Sequence, residues 1–143
     1  MLEKDLWIKT RKGVGAKWRA SRLEDKLSAG IPDVFFTLPS DDIRIAGMIE
    51  LKCQEQGARG GIFAAHYTQD QRDFALLHES VLLWLHSSGW YMLFPSDVAD
   101  DILRGQSLDW HKEKALYSSQ SPDWTVFIGI VRSYLLGLPQ HQI

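Results

Sequence analysis

Leu2 and Leu6 recur at helical spacing over about residues 2–12, and Gly13-Val14-Gly15 ends that pattern. Trp18 to Leu23 reads as a short strand and Ala29-Gly30 as a turn. Residues 31–38 (Ile-Pro-Asp-Val-Phe-Phe-Thr-Leu) are β-branched and aromatic, with Pro32 tolerated only at the start of the strand. Pro39-Ser40-Asp41-Asp42 predicts a four-residue turn, after which residues 43–52 return as the second arm of an antiparallel hairpin. Gln54 to Tyr67, with Gly57, Gly60 and Gly61, predicts a loop. From Thr68 a helix is expected to about Ser87, with Phe74, Leu77, Val81 and Leu85 as its apolar stripe. Gly89 breaks it, and Trp90 to Phe94 predicts a buried strand. A short helix over 97–104, irregular chain over 105–120 and a last helix from about 121 to 136 complete the pattern. This order of elements predicts an α/β fold, a mixed β-sheet flanked by helices.

Composition narrows the class. The 143 residues suit one domain, and 45% hydrophobic with 24% charged residues excludes a disordered chain. A single cysteine, Cys53, excludes a disulfide framework, and five histidines without i, i+4 pairing speak against zinc. Charges interrupt every apolar stretch, so no membrane partner is expected. Met1-Leu2-Glu3-Lys4-Asp5 lacks the apolar run of an export signal, so a cytoplasmic location is expected.

The net charge of −2 hides an asymmetry. Residues 1–28 hold eight basic residues against four acids, a local +4, which leaves −6 for the remainder. Arg11, Lys12, Lys17, Arg19 and Arg22 in this arm are candidates for backbone phosphate contacts, and Arg59 in the glycine-bearing loop is another. Trp18, inside the arm, is the tryptophan placed for base stacking.

The residues that carry chemistry are Asp33, Glu50 and Lys52. With a symmetric turn at 39–42, Leu38 pairs with Ile43, so Asp33 lies opposite Met48, diagonal to Glu50 and on its face. Diagonal neighbours lie about 7–8 Å apart, near enough for two carboxylates to share a cation. Glu50 and Lys52 project from the same face, while Val34, Phe36, Leu38, Ile45, Ile49 and Leu51 form the apolar side. A turn longer by one residue would put Asp33 on the wrong side. Two carboxylates holding Mg²⁺ activate a water towards a phosphodiester, and an adjacent ammonium orients that water and offsets developing charge. Taken alone, the same triplet also describes a surface salt bridge.

Gly30-Ile31-Pro32-Asp33, with sixteen residues between Asp33 and Glu50-Leu51-Lys52, resembles the PD-(D/E)XK nuclease superfamily. With Arg22, Glu24 and Thr68-x-x-Gln71 added, the set is similar to its VRR-NUC (virus-type replication-repair nuclease) group, over roughly residues 20–95. The resemblance implies a restriction-endonuclease-like core and Mg²⁺-dependent cleavage of DNA, with Mn²⁺ substituting. The DNA is branched in many such families, at four-way junctions or flaps, in phage or bacterial replication and repair. It implies Asp33 and Glu50 as metal ligands with the Leu51 carbonyl as a third, and Lys52 beside the attacking water. Gln71 matches a glutamine on the following helix, and it is equally the last residue of a Thr68-x-x-Gln71 capping box. Glu3 and Glu24 both match a further upstream acid, Glu24 being preferred. Paired cuts by a resolvase favour a homodimer. Residues 96–143 fall outside the resemblance, and their apolar terminal helix suits either core or dimer surface. The rival expectations are a non-catalytic nucleic-acid-binding or assembly domain that keeps the fold, and a purely structural protein.

Overall fold

The computed structural model describes residues 1–23, 30–55 and 61–138. Six strands form one mixed sheet in chain order: β1 (Arg19–Arg22), β2 (Val34–Ser40), β3 (Ile43–Cys53), β4 (Val81–Ser87), β5 (Trp90–Phe94) and β6 (Tyr117–Ser119). Every neighbouring pair is antiparallel except β3 and β4, which run parallel. A parallel pair needs a long crossover, and α2 (Gln69–Leu77) lies within it.

Alternation along the strands sorts the core into two layers. On one side Val34, Phe36, Leu38, Ile49, Leu51, Leu82, Trp84 and Leu93 pack against α1 (Glu3–Val14) and α5 (Trp124–Leu135). Leu6, Trp7, Thr10 and Val14 form the buried stripe of α1, at 3.6-residue spacing. The Thr10 hydroxyl donates to the Leu6 carbonyl at 2.7 Å and accepts the Trp84 indole N–H at 2.9 Å, which fixes α1 across the central strand. A Cβ at Gly13 would stand 2.1 Å from the Trp124 ring, so only glycine lets α1 and α5 approach this closely. On the other side Val81, Leu83, Leu85, Met92 and Phe94 pack against α2, α3 (Ala99–Arg104) and α4 (Leu108–Lys114).

The α/β class and the flanked mixed sheet agree with expectation, and several local expectations do not. The helix expected to run from Thr68 to Ser87 stops at Leu77, and Val81 to Ser87 form β4, with all seven residues buried. A central strand covered on both faces is a continuous apolar run, and its Val81 and Leu85 happen to extend the helical spacing. The stretch 105–120 is ordered: Ser107 caps α4, and β6 completes the sheet edge. The short helix begins with a 3₁₀ turn, Ser96–Val98, before α3. The terminal helix, α5, is core, since Phe127, Ile128 and Val131 are buried. Residues 96–138 therefore supply a strand and a core helix to the domain, beyond an appended extension.

The hairpin turn is also shorter than expected. Ser40 pairs with Ile43 and Val34 with Ile49, so only Asp41 and Asp42 turn, Asp41 at φ 51°. Pro39 sits inside β2, where its missing N–H would face β1, and β1 has already ended at the Arg19–Thr37 pair. The slip relative to the expected register is two residues. Parity is preserved, and with it the face of every side chain.

Candidate active site

At Val34 the β2–β3 ladder ends, and the chain before it carries Pro32 and Asp33. Asp33 Oδ2 accepts the Leu51 N–H at 2.8 Å, so a carboxylate takes the place of a strand carbonyl. The Asp33 carbonyl meanwhile accepts the Leu23 N–H at 2.7 Å, which ties the segment to the chain leaving β1. Pro32 is the residue that the register would set against Leu51, and it has no N–H to give the Leu51 carbonyl. The Asp33 carboxylate thus sits on the Leu51 amide, next to Glu50 in the chain, where β2 leaves the sheet.

Glu50 and Lys52 follow on β3, on the side covered by α2. Asp33 is 9% exposed, Glu50 3% and Lys52 7%. Lys52 Nζ lies 3.7 Å from Glu50 Oε1. Gln71 supplies a second contact, its Nε2 donating to the same Oε1 at 2.9 Å. The other end of this amide closes the capping box: Gln71 Oε1 accepts the Thr68 N–H at 3.0 Å, and Thr68 Oγ1 accepts the Gln71 N–H at 3.2 Å. The expected cap is present, and the same side chain also contacts Glu50. The helix start is thereby locked to the carboxylate.

Tyr67, which the sequence did not single out, completes this wall. It is buried beside α2, its hydroxyl donating to the Gln71 carbonyl at 3.4 Å. Burial and then the nearby Glu50 charge push its phenol well above the ordinary value, so it stays a neutral donor. Its only signal in the sequence is an aromatic directly before a capping box. Cys53, the next residue on β3 after Lys52, turns to the α1 side, where burial and then the Glu3 carboxylate push its thiol up to about 11. It is an inert, half-buried packing residue, and Glu3 stands near it.

Two carboxylates and a carbonyl are an all-oxygen donor set, the kind that hard divalent cations such as Mg²⁺ and Mn²⁺ take. Among the described residues no group of three or more His, Cys, Asp or Glu gathers, and the donors expected from the sequence are Asp33, Glu50 and the Leu51 carbonyl. Glu24 and Arg59 lie outside the described residues.

The basic arm divides between the two faces. Arg19, exposed on β1, pairs with Thr37 and shares the face of Asp33 and Glu50. Arg22 pairs with Val34 and shares the α1 face. Arg11 and Lys12 end α1, and exposed Lys17 follows in the 3₁₀ turn Gly15–Lys17, so none of the three belongs to the carboxylate layer. Trp18 is no base platform: it is buried, stacked on Phe36 at 4.5 Å with 7° between the rings. No helix among the described residues is long and apolar enough to cross a membrane. No family model, no curated protein and no solved structure matches this chain.

Proposed function

We propose that this chain is a divalent-metal-dependent DNA endonuclease, with a restriction-endonuclease-like core, that hydrolyses phosphodiester bonds in branched or otherwise structured DNA. The observation that carries it is the meeting of Asp33, Glu50 and Lys52, all largely buried, at the point where β2 leaves the sheet. Burying two carboxylates and an ammonium together costs several kcal/mol per ion unless they are paired, and a fold retains such a group where it has work to do.

Asp33, Glu50 and the Leu51 carbonyl would hold Mg²⁺, with Mn²⁺ as a substitute. That ion, when bound, polarises the phosphoryl oxygen and lowers the pKa of a water. The Leu51 N–H keeps one Asp33 oxygen in place. Gln71 fixes the rotamer of Glu50, and its own position is set by the cap at Thr68. Lys52 stands within ion-pair distance of Glu50, where its ammonium orients a nucleophilic water and offsets charge developing on the phosphate. A homodimer would supply the second site needed for paired cuts.

The test is digestion of labelled four-way junction, flap, nicked and linear DNAs with Mg²⁺, beside a Glu50→Gln control. Cleavage by the wild type that falls by at least about a thousandfold in Glu50→Gln, with DNA binding retained, is expected. Equal turnover by the variant, or no cleavage of any substrate with Mg²⁺ or Mn²⁺, refutes the reading and leaves a non-catalytic nucleic-acid-binding domain.

A further inference from the structure

Among the described residues, half of the sheet face that carries the acids has no helix over it. The apolar contacts of α2, α3 and α4 are made with β4 and β5, and on the neighbouring strands Arg19, Ser21, Phe35, Arg44 and Ala46 are exposed on that face. The alternate positions of β2, facing α1 and α5, are fully buried. Phe35 stands out on this open half. It is 40% exposed, paired with Ser21 on one side and Met48 on the other. It follows Asp33 by two residues on the same face, about 6.6 Å along the strand.

Two cations lie beyond the ring on the side away from Asp33, both at Thr37. Arg19 is two pairs further along, on the same face and level with Thr37. Arg44 is anchored at Thr37 too, its Nε donating to Thr37 Oγ1 and its Nη2 to the Thr37 carbonyl, each at 2.9 Å. Single exposed apolar residues are ordinary on protein surfaces. An aromatic ring on an uncovered sheet, between paired arginines and a carboxylate site, is a more specific arrangement.

We propose that this open face, centred on Phe35, is a platform for an unpaired nucleic-acid segment leading to the Asp33–Glu50 site. The Phe35 ring stacks on a base, and Arg19 and Arg44 meet backbone phosphates. Stacking on a surface aromatic accepts any base, because every base has a π-face, and the arginines complement the charge of the strand. A duplex keeps its bases stacked inside and offers Phe35 none, so the surface selects an unpaired arm over continuous double helix. The inference rests on the nuclease reading only for where the reacting phosphate lies.

The experiment is fluorescence anisotropy of a labelled oligothymidylate of about 12 nucleotides, within the site size of a small single-strand-binding module, at low salt in EDTA. Wild type, Phe35→Ala and Phe35→Trp are compared as full chains, with far-UV circular dichroism to confirm the fold. Phe35→Ala is expected to raise Kd about tenfold or more and Phe35→Trp to restore it, with a duplex of equal length competing poorly. Unchanged affinity in Phe35→Ala, no binding by the wild type, or preference for the duplex overturns the proposal. So does a concentration-dependent dimer that Phe35→Ala abolishes, since a second copy would then occupy the face. Cleavage of a duplex bearing an unpaired arm, by wild type and Glu50→Gln, is scored separately. Binding without cleavage removes the nuclease reading and keeps the platform, whereas cleavage with Phe35-independent binding removes the platform alone.

Discussion

Gln71 uses the two ends of one amide for two tasks, and a single substitution separates them. Its Oε1 accepts the Thr68 N–H at 3.0 Å, and its Nε2 donates to Glu50 Oε1 at 2.9 Å. In Gln71→Glu one carboxylate oxygen still closes the capping box, while the other faces Glu50 and has no proton to donate. A hydrogen bond to a buried charged group contributes about 1.5–3 kcal/mol. Gln71 is only partly buried, and the Lys52 ammonium 3.7 Å from Glu50 Oε1 offsets part of the new repulsion. The loss therefore sits at the lower end, about 1.5 kcal/mol, and the repulsion raises the proton affinity of the carboxylate pair. A carboxyl pKa raised on folding destabilises as pH rises through it. The deficit of Gln71→Glu relative to wild type should be clearly smaller at about pH 3.5 than at about pH 7.5. Urea unfolding at both values measures it. Thr68→Ala, which removes only the cap, should lose about 1 kcal/mol at either pH. A Gln71→Glu deficit equal at both pH values, or none at pH 7.5, refutes the coupling between helix cap and Glu50.

Two further outcomes follow from buried charge. Lys52→Met leaves Glu50 without its ammonium and should cost roughly 3–5 kcal/mol at neutral pH by urea unfolding, less in acid, and a wild-type midpoint would remove the ion pair from the account. Burial holds both His86 and His111 below the ordinary histidine pKa, so these rings are neutral in the fold and take up protons on unfolding below about pH 6.5. Their contribution is full above that value and lost as pH falls, so the urea midpoint should drop between about pH 7.5 and 5.5, and by less in His111→Phe; a flat profile contradicts this.

The site was more legible than the scaffold around it. Asp33 and Glu50 fall on one face under any turn of even length, so a two-residue error in the hairpin left their neighbourhood intact. Helix α2 and strand β4 could not be separated by periodicity, because Phe74, Leu77, Val81 and Leu85 keep helical spacing across the change. Seven consecutive buried residues, Trp84 among them, mark a strand covered from both sides, and His78-Glu79-Ser80 was the break to heed. The side assignment of the basic arm lay beyond reach, since it depends on which face α1 covers, a tertiary choice. Phe35 illustrates the same limit: its strand reads as uniformly apolar, and which of its two faces the described helices cover is a tertiary choice.

The bond between Trp84 and Thr10 joins residues 74 positions apart. As the chain emerges from a ribosome, the first helix is complete long before its binding strand exists, so Leu6, Trp7 and Val14 wait in water. Any product that stops short of residue 84 carries that greasy stripe with only the β2–β3 hairpin to cover it and no central strand. Prematurely ended copies should therefore clump or be degraded, and the late closure of this long-range contact should set the pace of folding.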